Sequence, residues 1–317
     1  MKIKFGIVMD PINNINIKKD SSFAMLLEAQ KRQYIIYYME LKDLYLKNNQ
    51  AYARTRILKI QKKEKKFFNF IKEENILLSN INVIFMRKDP PVNMEFIYAT
   101  YILERAEQEG TLVINKPKSL RDCNEKLYTT WFPSITPKTL VTSQIEKIKN
   151  FLVQNKDIIL KPLNSMGGDS IFRVTIHDPN VSVILETITK KNNNYCLVQQ
   201  YLPEIQYGDK RILMINGKAI PLCLARIPKI GETRGNLAAG GIGKIQPLTE
   251  NDWKIVNILS PILNKKGLII VGLDVIGNKL TEINITSPTG ICEIQSKYEK
   301  SITELIFQSI EKKIFKK

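Results

Sequence analysis

Asp274, Glu282 and Asn284 fall within eleven residues of otherwise apolar, strand-like chain: Gly272-Leu273-Asp274-Val275-Ile276, a Gly277-Asn278 turn, then Thr281-Glu282-Ile283-Asn284. Carboxylates in such a setting need a cation. Their oxygens are hard donors suited to Mg²⁺, with Mn²⁺ as a substitute, and Mg²⁺ typically takes one or two carboxylates and fills its other positions with water and substrate phosphates. The chemistry indicated is that of ATP. Phosphate handling also requires cationic donors and bare backbone amides. Lys161, closing the strand-like Ile158-Ile159-Leu160-Lys161-Pro162, and the Gly167-Gly168 loop that follows offer both. Singly, each has a bland reading: a terminal lysine snorkels, a Gly-Gly pair turns the chain, an acid in a strand protects an edge. Their joint occurrence carries the inference. The absence of a Gly-x-x-x-x-Gly-Lys-Ser/Thr sequence argues against a P-loop, and Gly241-x-Gly243 lacks the third glycine of a dinucleotide fingerprint.

The surrounding pattern shows what must position these groups. Residues 2–9, 35–39, 83–86 and 112–115 read as strands, and 23–30, capped by Asp20-Ser21-Ser22, and 95–109 as helices. Strands alternating with helices, with polar residues at the strand ends, describe a doubly wound α/β domain whose ligands sit at those ends. Beyond Pro117 the texture becomes α+β: helix at 126–131, strand at 139–142, helix at 143–155 from a Ser143 cap, strands at 158–162 and 171–174, and an apolar segment at 195–202. Residues 211–215 and 218–226 form a hairpin about Asn216-Gly217. Residues 227–243 hold five of the fifteen glycines and read as a mobile loop. Helices at 250–265 and 302–315 flank the Asp274/Glu282 hairpin.

The net charge of +17 is the one feature favouring a nucleic-acid partner. The lysines are scattered, however, and the densest run, Lys62-Lys63-Glu64-Lys65-Lys66 before Phe67-Phe68-Asn69-Phe70, reads as the solvated face of an amphipathic helix. The four cysteines are far apart, without metal or redox spacing, and read as buried thiols of a reducing compartment. The single histidine, His177, lies in a turn-like segment and serves no histidine triad or multi-histidine metal site. No apolar run approaches the roughly 20 residues of a membrane span, and the N-terminal apolar stretch is too short for a signal peptide. A cytoplasmic protein is expected.

In order and spacing the lysine, glycine pair and acids resemble the ATP-grasp superfamily. The match is closer still to the bacterial glutathione synthetase family. It runs through Met9-Asp10-Pro11, Lys18-Lys19-Asp20-Ser21-Ser22, Met86-Arg87-Lys88-Asp89-Pro90-Pro91, Asn115-Lys116-Pro117, Leu120-Arg121-Asp122-Cys123-Asn124-Glu125-Lys126, the segment from Gly231 to Gly241, and Asn284-Ile285-Thr286-Ser287-Pro288-Thr289. The resemblance implies a doubly wound pre-ATP-grasp domain (1–122), a lid domain (123–199) and a C-terminal ATP-grasp domain (200–317) with a mobile loop at 227–243. It implies a reaction in which ATP, γ-glutamylcysteine and glycine give glutathione, ADP and phosphate through an acyl phosphate, in a homo-oligomer, a tetramer in the family. Site roles follow residue by residue. Lys126, Lys161, Gly167 and Gly168 go to the ATP phosphates, Gln199, Gln200, Tyr201 and Leu202 to adenine, and Asp209 to the ribose. Asp274, Glu282 and Asn284 take the metal; Arg211, Arg226 and Arg234 take charge in the transferred groups; Arg87, Ser287 and Thr289 take substrate. Two positions depart from the pattern: Ile242 and Cys292 stand where relatives often carry arginine, which predicts weakened substrate binding.

Two alternatives stay open at this point: another ATP-grasp carboxylate-amine ligase, or a drifted, non-catalytic basic protein binding nucleic acid. Retention of the three metal-type ligands and both lysines counts against the second. The metal reading also makes a geometric demand. A two-residue Gly277-Asn278 turn in regular register sets Asp274 opposite Thr281, with Glu282 on the other face. For Asp274 to face Glu282, the connection must be three residues long or bulged.

Overall fold

A computed structural model describes residues 2–61, 66–229, 231–232, 234–235, 237 and 240–315. The N-terminal sheet has seven strands: β1 (Lys4–Met9), β2 (Ile35–Met39), β3 (Leu44–Lys47), β4 (Gln50–Ile60), β5 (Phe68–Leu77), β6 (Val83–Arg87) and β7 (Leu112–Ile114). Their order is β3-β4-β2-β1-β6-β7, with β5 on the outer side of β4. The β2-β1-β6-β7 portion is parallel and is crossed over by α1 (Ser21–Lys31) and α2 (Met94–Gln108). Side chains alternate along β1: Phe5, Ile7 and Met9 pack towards α1, Val8 towards α2, so both faces of the parallel portion are covered, as such sheets require.

The expected strands and crossover helices are present. The antiparallel β3, β4 and β5 were not anticipated, and β5 overturns the helical reading of 67–70, since Phe68 opens a strand paired with Ile60. The lysine run at 62–65 lies outside the described residues.

The second sheet is antiparallel, in order β10-β9-β11-β8: β8 (Thr139–Thr142), β9 (Asp157–Pro162), β10 (Phe172–Thr175) and β11 (Cys196–Gln200). Between the sheets lies α3 (Pro117–Asp122), and α4 (Ile145–Asn155) and α5 (Val181–Thr189) cover one face of the second. Leu160 and Val198 join Leu152 and Leu185 in that core; their neighbours Ile159, Lys161 and Gln199 line the open face. Two local expectations fail. Residues 127–131 are a 3₁₀ turn rather than an α-helix, and Ser143 does not cap α4, whose N-cap is Gln144 with no side-chain cap bond.

The third sheet runs β14-β13-β12-β15-β16: β12 (Asp209–Ile215), β13 (Lys218–Ile227), β14 (Ile242–Pro247), β15 (Ile270–Ile276) and β16 (Lys279–Asn284). β14 extends the sheet where the sequence reading placed the end of a loop. On one face packs α6 (Glu250–Lys265), begun by a capping box between Thr249 and Asp252. Asp252 also pairs with buried Lys210. After α7 (Ile291–Gln295), α8 (Ile302–Ile314) returns to the first sheet, where Phe307 meets Phe5 and Phe85 at ring-centroid distances of 5.4 and 5.8 Å. Truncating Phe307 to alanine would cost about 3–5 kcal/mol.

Candidate active site

The period of two in β12, β13 and β15 sets one face of the third sheet against α6 and leaves the other to chemistry. Ile212, Cys223, Leu273 and Val275 belong to the α6 core. The opposite face carries Asp209, Arg211, Arg226, Gly272 and Asp274. Cross-strand register sets Arg211 against Asp274 and Asp209 against Arg226. Arg211 Nε donates to Asp274 Oδ1 at 2.5 Å and Nη2 to Oδ2 at 3.1 Å. Arg226 Nη2 lies 2.8 Å from Asp274 Oδ2 and 2.5 Å from Asp209 Oδ2. A side chain at Gly272 would place its Cβ 2.9 Å from Arg211 Cδ, so the glycine lets the arginine lie flat across β15.

The bulge demanded by the metal reading is present. Ile276 pairs with Lys279 and Val275 with Leu280, then the register shifts and Asp274 pairs with Glu282. Thr281 is the extra residue, its hydroxyl donating to Asp274 O at 3.1 Å. Asn284 falls opposite Gly272, two residues along the same strand from Glu282.

Burial sets the electrostatics. Arg211, Arg226 and Asp274 are all at most 6% exposed. Burial alone would raise the Asp274 carboxyl, but Arg211 and Arg226 outweigh it and hold the group well below the usual carboxylate range. Burial pushes Asp209 up to about 6, with Asp274 and Glu282 adding to the rise and Arg226 opposing it. Asp209 Oδ1 is buried without a hydrogen-bond partner among the described residues, an arrangement that a ligand hydroxyl would complete.

Across the cleft stand two lysines. Lys126 Nζ donates to Ser165 O at 2.6 Å and lies 3.4 Å from Glu282 Oε1. Lys161 is buried, with its pKa lowered by that burial against the pull of Glu282. Between Lys161 and the acids a slot is walled by Ile159, Ile171, Leu202, Ile205 and Ile276, with Gln199, Gln200 and Tyr201 along one edge and Asp209, Asp274 and Glu282 at its polar end. Gly167 and Gly168 turn the loop beyond β9 at φ +66° and +85°. Arg234 Nη1 reaches Gly168 O at 3.3 Å while its other nitrogens hold Glu232.

A second polar region adjoins the first. Arg87, 4% exposed at the end of β6, donates through Nε to Ser22 Oγ and through Nη2 to Pro288 O, leaving Nη1 buried and, among the described residues, unpartnered. Ser287 Oγ donates to Asp89, and Thr289 O accepts from Arg211 Nη1 at 3.2 Å. The 287–289 loop therefore joins Arg87 to Arg211. For a metal, the donors offered are the Glu282 carboxylate, the Asn284 amide oxygen and Asp274, whose oxygens already carry guanidinium contacts. No cluster of three or more acid, histidine or cysteine side chains that could by itself hold a metal occurs among the described residues. This donor set suits a hard ion that draws its remaining ligands from phosphate.

The chain matches the family model for the prokaryotic glutathione synthetase N-terminal domain over residues 3–121 and that for the prokaryotic glutathione synthetase ATP-grasp domain over residues 125–299. It belongs to the prokaryotic glutathione synthetase family. A glutathione synthetase of Buchnera aphidicola subsp. Acyrthosiphon pisum is 63% identical over 99% of this chain and 98% of its own length. Among solved structures, a D-cycloserine synthetase superposes with a TM-score of 0.67 at 11% identity, over 98% of this chain and 99% of that one. An ATP-grasp ligase complexed with minimal precursor, Mg and ADP gives 0.62 at 12% identity, covering 98% of both chains. At that identity the structures establish the ATP-grasp fold, and family membership makes the chain an ATP-dependent carboxylate-amine ligase.

Several residues of the family-like segments prove to hold the cleft together. Asn115 receives Ile269 N and Ile270 N on its oxygen and donates to Ile270 O and Ile285 O. Glu125 accepts from Ile285 N, Thr286 N and Thr286 Oγ1, fixing the start of the 285–289 loop. Sequence reasoning assigned neither residue any work, although both fall in segments that carry the family resemblance. The two departures are now placed. Ile242 is 63% exposed at the start of β14, and half-buried Cys292 sets Sγ 3.6 Å from Asp20 O, in the neighbourhood of Arg87.

Proposed function

We propose that this cleft joins γ-glutamylcysteine to glycine with consumption of ATP, by way of an acyl phosphate. Adenine occupies the apolar slot beside Gln199, Gln200, Tyr201 and Leu202, and the ribose completes Asp209. Lys126, Lys161 and the Gly167-Gly168 turn receive the phosphates. Asp274, Glu282 and Asn284 would hold Mg²⁺, or Mn²⁺, which when bound neutralises charge on the phosphates. The dipeptide takes the unpartnered Arg87 nitrogen, with Ser287 and Thr289 beside it.

A carboxylate is a poor acyl donor, so the cysteine carboxylate first attacks the γ-phosphorus; Arg211 and Arg226 neutralise the approaching anions. Arg234, tied to Gly168, brings the large loop and the lid together and helps exclude water from the acyl phosphate. The division at 1–122, 123–199 and 200–317, a homo-tetramer and a cytoplasmic setting complete this reading; the four unpaired thiols suit a reducing compartment. No helix among the described residues is long and apolar enough to cross a membrane.

The observation carrying the proposal is the bulged register that sets Glu282 opposite Asp274, within reach of Lys126. Purified protein should release one phosphate per glutathione formed, dependent on both ATP and γ-glutamylcysteine, and Glu282→Gln should slow turnover at least ~100-fold. Equal phosphate release with a panel of other amines in place of glycine would refute the assigned substrate.

A further inference from the structure

Beside the arginine pair lies a separate cavity of about 140 Å³, lined by Arg211, Arg226, Leu224, Thr289 and Glu293, with Gly167 reaching it from the lid. Glu293 lies on α7, and its Oε2 is buried with no hydrogen-bond partner among the described residues. A carboxylate oxygen in that condition is costly unless something donates to it. The arginines facing the same cavity do not relieve it, because their ion pairs among the described residues run to Asp274 and Asp209. The ammonium of an incoming substrate would supply the missing donor, close to where anionic groups react.

We propose that Glu293 receives the ammonium of the incoming amino acid and removes its proton. The inference rests on the acyl-phosphate reading above and adds to it a residue that neither composition nor motif spacing singles out. At about 140 Å³ the cavity has room for a small amino acid. Glycine, with five non-hydrogen atoms, fits. In the step itself the ammonium gives one proton to the Glu293 carboxylate. The freed lone pair forms the C–N bond at the acyl carbon, the C–O bond to phosphorus breaks with its electron pair on the departing phosphate, and phosphate takes the second amine proton. Glu293 then loses its proton to solvent. Proton acceptance of this kind contributes ~10²-fold or more.

Hydroxylamine distinguishes the stages, since it is uncharged at neutral pH and needs no carboxylate to deprotonate it. With ATP and γ-glutamylcysteine, wild-type protein should form a hydroxamate when hydroxylamine replaces glycine. Glu293→Gln should lose ~100-fold in kcat/KM for glycine yet form hydroxamate within about 3-fold of wild type, and Glu293→Asp should recover part of the glycine activity. Unchanged glycine turnover in Glu293→Gln would overturn the proposal. So would equal loss of both reactions, which would assign Glu293 to the fold or to the first step. No hydroxamate from wild type would remove the acyl phosphate itself, and this proposal with it.

Discussion

The buried Arg211–Asp274 pair makes a quantitative demand on stability that separates it from a surface ion pair. Two unit charges about 4 Å apart attract by about 4 kcal/mol at an effective dielectric constant near 20, and both residues are at most 6% exposed. Desolvation offsets much of that attraction while the pair is intact, but removing one partner leaves the other buried and unpaired, at about 3–5 kcal/mol. The two single changes should differ. Arg211→Met leaves Asp274 with Arg226 at 2.8 Å, whereas Asp274→Asn strips Arg211 of both carboxylate contacts and leaves it the Thr289 carbonyl. Asp274→Asn should therefore be the more damaging. The double variant should cost much less than the sum of the singles, with a coupling energy of at least about 2 kcal/mol. Urea denaturation followed by circular dichroism gives all three values. Additivity within about 0.5 kcal/mol would mean that the residues do not interact as described. Activity should be lost in every member of the set.

Arg87→Met should raise KM for γ-glutamylcysteine about 30- to 160-fold, the loss of a charge-assisted bond of ~2–3 kcal/mol, with a smaller effect on kcat; a change confined to kcat would contradict its binding role. Restoring arginine at Ile242 and Cys292 together should lower the same KM, and an unchanged value would dismiss the weakened-binding reading of those positions. At the α8 surface, burial would raise the Glu311 carboxyl, but hydrogen bonds from Tyr34 and Arg32 outweigh it and depress the pKa. A depressed acid stabilises the fold above its unfolded pKa of about 4.3 and loses that contribution as pH falls through the folded value. Glu311→Gln should accordingly cost about 1–2 kcal/mol at pH 7 and progressively less in acid; a cost independent of pH would refute the linkage.

Elements whose ends are marked by chemistry could be read from the chain. The reading of 250–265 coincides with α6 because Thr249 and Asp252 form a capping box, and that of 35–39 coincides with β2, a short buried run. Other elements were hidden by competing signals. α5, Val181–Thr189, is rich in β-branched residues that favour strands. β14 begins among glycines and a lysine. β4 alternates buried and exposed positions over its first half, a period of two that its basic composition obscured. The bulge at Thr281 was legible only through function, because the local turn sequence favours the regular register. Arg211 and Arg226 were assigned by resemblance alone. Their convergence on the Asp274 carboxylate, from a hairpin distant from it in sequence, depends on strand order that spacing cannot reveal. Glu293 illustrates the same limit, since its significance lies in an oxygen that finds no partner after folding.

The acyl phosphate is central to the proposed function, and isotope transfer tests it most directly. γ-Glutamylcysteine labelled with ¹⁸O in the cysteine carboxylate should deliver one ¹⁸O into the inorganic phosphate formed with each glutathione, because the attacking oxygen leaves with phosphorus when glycine's amine displaces it. Unlabelled phosphate at full turnover would contradict the mechanism and, with it, the roles proposed for Arg211, Arg226 and Glu293.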